Sequence, residues 1–76
     1  MTTFQQQIRA SRIKRDKEIL LAEINDASCN GTWWVPYYII KGLFQKIDYD
    51  GDAILGALEA DGSIVRSSDG TQFTTN

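Results

Sequence analysis

Few groups in this 76-residue chain are equipped to do chemistry, and their types narrow it further. Histidine is absent and Cys29 is the single cysteine, so the chain can build no Ser-His-Asp or Cys-His catalytic group, no His-ligated metal site and no intrachain disulfide. Without a histidine to activate it, Cys29 reads as an incidental residue of a polar turn. Carboxylates are plentiful, yet no spacing marks a pocket in which two could share acid-base work. No catalytic residue is expected, and the chain is not read as an enzyme. The spacing nearest to ligand chemistry is that of Asp48, Asp50, Asp52 and Glu59, at positions 1, 3, 5 and 12 of a twelve-residue segment. Hard oxygen ligands so placed can surround a calcium ion.

That segment, with Phe44 and Ile47 ahead of it, resembles the calcium loop of an EF-hand. It departs at position 6, where Ala53 replaces the glycine of the sharp turn, and Asp61-Gly62 interrupts the exit helix directly after Glu59. The same aspartates are explained by a helix terminator followed by an N-cap, with acidic groups near the positive end of the next helix. Neither metal nor cofactor is expected.

Two other groups of residues could bind rather than react. Arg9, Arg12, Lys14, Arg15 and Lys17 gather positive charge early in the chain. Their first reading is a solvated helix face with ion pairs Arg12/Asp16 and Lys14/Glu18, each adding only about 0.2–0.5 kcal/mol to an exposed helix. Their second is a phosphate-binding surface. Trp33, Trp34, Tyr37 and Tyr38 place four aromatics within six residues, more than a short helix of so small a domain can bury. Some fill the core, and the rest are free to form a protein-binding hot spot or dimer seam. A base-stacking platform is disfavoured, because only Lys41 and Lys46 lie near enough in sequence to hold phosphates.

The elements that position these groups follow from composition and periodicity. With 42% apolar and 24% charged residues, the chain reads as a single domain over 1–76, with an N-terminal helix and turn (1–31) ahead of the main unit (32–76). A net charge of −2 lacks the basic footprint of a nucleic-acid binder. The longest apolar run, Trp33 to Ile40, is too short to span a bilayer, and the charged, amphipathic start is unlike a signal peptide. The lone cysteine suits a reducing compartment, so a cytoplasmic protein without membrane contact is expected. Asn30-Gly31-Thr32 reads as a turn.

Phe4, Ile8, Ile13, Leu20, Leu21 and Ile24 recur at helical spacing, predicting an amphipathic helix over Thr3–Asn25 with a Thr3/Gln6 capping box. Thr32–Val35 is a short-strand candidate. Pro36 should open a second helix running to Ile47 with Tyr37, Ile40, Leu43, Phe44 and Ile47 inward. Asp52 can cap a third helix that buries Ile54, Leu55 and Leu58 and stops at Gly62. Ser63–Ser68 and Thr71–Thr75, joined by a two-residue Asp69-Gly70 turn, read as a β-hairpin.

The expected fold is mainly α with a small antiparallel hairpin: three helices plus a wing, winged helix-turn-helix-like. Leu58-Glu59-Ala60-Asp61-Gly62-Ser63-Ile64-Val65-Arg66 resembles the Leu-Glu-x-x-Gly-x-Ile-x-Arg segment of winged-helix transcription regulators, a likeness extending over about Pro36 to Thr75. The resemblance implies a DNA-binding regulator, its third helix in the major groove, its wing on the backbone or minor groove, and its basic residues on phosphates. The candidates for those contacts are Arg9, Arg12, Lys14, Arg15, Lys17, Lys41, Lys46 and Arg66. From Trp33 to Asn76, however, three basic residues face six acidic ones, and Ala53 to Asp61 offers no side chain that reads base edges. The alternative is a protein-binding adaptor or inhibitor that meets a basic partner surface. Its candidate residues are Trp33, Trp34, Tyr37, Tyr38, Asp48, Asp50, Asp52, Glu59 and Asp61. Homodimerisation through the first helix or the aromatic segment would bury exposed rings in either case.

Overall fold

The computed structural model describes residues 4–76, with side chains from Arg9 onward. The Thr3/Gln6 capping box therefore lies outside what is described. Helix α1 (Phe4–Ala27) continues two residues past the expected Asn25, because the N–H groups of Ser28 and Asn30 donate back to the carbonyls of Ile24 (2.9 Å) and Asn25 (2.8 Å). The chain then reverses through Gly31 at φ +87°. A Cβ there would lie 2.7 Å from the Thr75 carbonyl oxygen, so glycine serves both the backbone angle and the close approach.

The expected strand Thr32–Val35 is displaced to β1 (Val35–Pro36). The N–H groups of Thr32 and Trp33 close the preceding turn onto Cys29 and Ser28, which leaves them nothing to pair with across a sheet. Pro36 is correspondingly extended (φ −63°, ψ 150°) and precedes the second helix instead of opening it. That helix, α2 (Tyr37–Leu43), passes into a 3-10 turn over Phe44–Lys46, so the expected continuous helix to Ile47 tightens in its last turn. Its inward positions are as read from the spacing, with Ile40 and Ile47 buried and Tyr37, Leu43 and Phe44 packed against them.

Helix α3 (Gly51–Ala60) is capped by Asp50, not by the expected Asp52. The Asp50 side chain accepts from the Asp52 N–H at 3.1 Å. α3 buries Ile54, Leu55 and Leu58 and ends where Gly62 takes φ +77°, as its position in the sequence predicts. Strands β2 (Ile64–Arg66) and β3 (Gln72–Thr75) form the expected hairpin. Their connection is wider than a two-residue turn: the Ser67 N–H still reaches the Gln72 carbonyl (2.8 Å), leaving Ser68–Thr71 as the loop. The Asp69 carboxylate holds this loop, accepting from the Ser67 hydroxyl (2.6 Å) and from the Thr71 N–H (3.1 Å) and hydroxyl (2.9 Å).

Three helices thus pack with a three-stranded antiparallel sheet of order β1-β3-β2, the helices-plus-wing arrangement expected, with β1 added at the far edge of β3. Val35 faces Phe73 across β1 and β3, and Ile64 faces Thr75 across β2 and β3. Leu20 and Ile24 of α1 meet Ile40, Ile54, Leu58, Ile64 and Phe73 in one buried cluster.

Candidate functional site

Asp16 is the first departure from the sequence reading of the charges. It is fully buried and forms no pair with Arg12; its carboxylate accepts from the N–H groups of Asp48 (3.2 Å) and Tyr49 (2.8 Å). α1 thereby pins the α2–α3 turn. Sequence reasoning assigned Asp16 to a surface pair although it precedes Leu20 and Ile24 at successive four-residue steps on the core-facing side. A carboxylate at a core position was the available signal.

Lys14 does not pair with Glu18 either. The cations of α1 reach across the fold: Arg15 bonds Asp48 and also approaches Asp16 (3.3 Å), and Lys17 bonds Asp61. Lys46 meets Glu23 at 3.3 Å, and Arg66 engages Glu59 through two nitrogens (3.0 and 3.2 Å) while its guanidinium lies 4.9 Å from the Phe73 ring centre. Of the eight expected phosphate contacts, these four are therefore committed to carboxylates. Arg9, Arg12, Lys14 and Lys41 have no carboxylate partner among the described residues.

The calcium-like spacing does not become a cluster. Asp48 pairs with Arg15, Asp50 caps α3, Asp52 accepts from the Tyr37 hydroxyl and Glu59 holds Arg66. Among the described residues, no three carboxylates or thiols are grouped to hold a metal ion. Cys29 is exposed in the turn after α1, and no described helix is long and apolar enough to cross a membrane.

The aromatic segment divides. Tyr37 is half-buried, its ring against Phe44 (6.4 Å, edge-on) and Phe73 (6.3 Å). Trp33, Trp34 and Tyr38 are 62%, 47% and 74% exposed, and Ile39 beside them is exposed too. Tyr37, in the same segment, is the residue that reaches carboxylates. Its hydroxyl donates to Asp52, Asp52 donates its N–H to Asp50, and the Tyr37 N–H bonds the Thr71 carbonyl (3.0 Å) in the loop held by Asp69. The phenol is pushed above its ordinary range, first by the hydrogen bond to Asp52, then by burial and the negative fields of Asp52 and Asp50, with Arg66 opposing. Asp69 is held below the usual carboxylate range by the Ser67 hydroxyl and then by Thr71. None of Asp50, Asp52 and Asp69 has a cationic partner within salt-bridge distance among the described residues. Comparison with protein-family models, curated proteins and solved structures returns no match.

Proposed function

We propose that the chain is a protein-binding adaptor on a winged-helix-like scaffold. Its aromatic segment and the carboxylates around Tyr37 meet a basic partner surface. One observation carries this reading: Trp33, Trp34 and Tyr38 are exposed on the segment whose Tyr37 bonds Asp52 and the loop held by Asp69, and Asp50, Asp52 and Asp69 have no cation within salt-bridge distance among the described residues. Large rings at a surface favour protein contacts, and unneutralised carboxylates at the rim select a basic partner and steer its approach. Lys41, one turn beyond Tyr38, is the opposing charge on that segment.

The DNA-regulator reading is weaker on the same facts. A winged-helix regulator lays its third helix in the major groove, but the exposed positions of α3 include Asp52, Ala53, Gly56 and Ala60, none of which donates to a base edge. Salt-dependent affinity for duplex DNA scales with the phosphates neutralised, and half of the expected cations are bound internally. The test pairs two titrations at low salt. An oligoarginine peptide should shift tryptophan emission to saturation, and random duplex DNA should leave fluorescence anisotropy unchanged. Salt-sensitive DNA binding with no response to the peptide would reverse the assignment.

A further inference from the structure

The chain itself carries a basic surface of the kind its aromatic face would accept. Arg9, Ala10, Ser11 and Arg12 are all exposed. Successive helical residues are about 100° apart, so four in a row sample the whole circumference, and all four stay exposed, Ala10 at the lip of a groove that it lines with Leu58, Asp61 and Ser63. The long dimension of the molecule agrees, at 42 Å against 21 and 19 Å. Among the side chains described, the first that is fully buried is Asp16. Arg9 and Arg12, three apart, share a face. One turn later Arg15 and Lys17 find Asp48 and Asp61, but neither Arg9 nor Arg12 has a carboxylate within salt-bridge distance among the described residues.

We infer that copies of this chain associate head to tail, the α1 overhang of one copy seating Arg9 and Arg12 on Trp33, Trp34 and Tyr38 of the next, within the field of Asp50, Asp52 and Asp69. This rests on the adaptor reading of the aromatic face and names its occupant. Guanidinium groups stack on indole and phenol faces and keep their charge while doing so, so one contact uses both the rings and the carboxylates. Head and tail are different surfaces, so the contact is heterologous: each copy added leaves a free head and a free tail, and the assembly grows past a dimer unless the rotation closes a ring.

Sedimentation velocity on the full chain tests this. At low salt the average mass should rise with concentration up to about 1 mM and pass that of a dimer. It should fall back at ~0.5 M salt, where the screening length is about 4 Å. Two variants separate the surfaces: Arg9→Glu with Arg12→Glu removes the head, and Trp33→Ser, Trp34→Ser and Tyr38→Ser removes the tail. All five positions are exposed, and unchanged circular dichroism would confirm folding. Each variant alone should remain monomeric, and an equimolar mixture should give a one-to-one complex and nothing larger. A monomeric wild type, a dimer that persists in either variant, or a mixture that stays monomeric would overturn the inference. If oligoarginine still shifted tryptophan emission in any of those cases, the adaptor reading would survive and only its occupant would be wrong.

Discussion

Asp16 concentrates more structural consequence than any other charged residue described. Burying a carboxylate is costly unless its oxygens are bonded, and here Oδ2 receives both N–H groups of the α2–α3 turn while Oδ1 accepts from the Arg15 guanidinium. Asp16→Ala leaves those donors without a partner and should lower unfolding stability by about 1–3 kcal/mol in urea denaturation, with Asp16→Asn losing less because an amide oxygen still accepts. Asp69 acts on the wing through pH. Its folded pKa lies below the unfolded value, so its contribution is present above the unfolded pKa and is lost as pH falls through the folded one. Asp69→Asn should accordingly flatten the acid limb of the stability profile, read as thermal midpoint against pH. Neither role was legible from residue type. Asp16 reads as half of an exposed pair, and Asp69 as a residue of a tight turn, until the partner backbone is in place.

Among the elements, the glycines of α2 and α3 separate helix economy from packing. A Cβ on Gly42 or Gly56 would meet nothing within 4 Å, so Gly42→Ala and Gly56→Ala should each stabilise by about 0.5–1 kcal/mol. Gly51 is the opposite case: its Cβ would fall 2.2–2.5 Å from the Phe44 ring, and Gly51→Ala should destabilise, by about 1–3 kcal/mol, as overpacking does. Thermal or urea unfolding of the three variants checks both signs. The inward positions of each helix were legible, since Ile40, Ile54, Leu55 and Leu58 recur at helical spacing and all are buried. The boundaries were less so. Pro36 is compatible with a first helical residue or with the extended residue before it, and its neighbour Val35 pairing with Phe73 decides for the strand.

For the whole molecule, charge sorting is the feature that bears on function. Interelement bridges engage Arg15, Lys17, Lys46 and Arg66 and leave Arg9 and Arg12 near the start of α1, and Asp50, Asp52 and Asp69 on the side of Tyr37, without a bridging partner among the described residues. The paired titrations and the sedimentation experiment both read that asymmetry. The sequence by itself determined the element order, the core-facing stripes, the reversal at Gly62 and the hairpin wing, because periodicity and turn chemistry act between residues a few positions apart. Only the tertiary structure decided which cations stay free, which rings stay exposed and which backbone groups Asp16 binds. Arg15 with Asp48, Lys17 with Asp61 and Asp16 with Tyr49 are contacts across more than thirty residues of chain, and a distance closed by packing leaves no mark in local spacing.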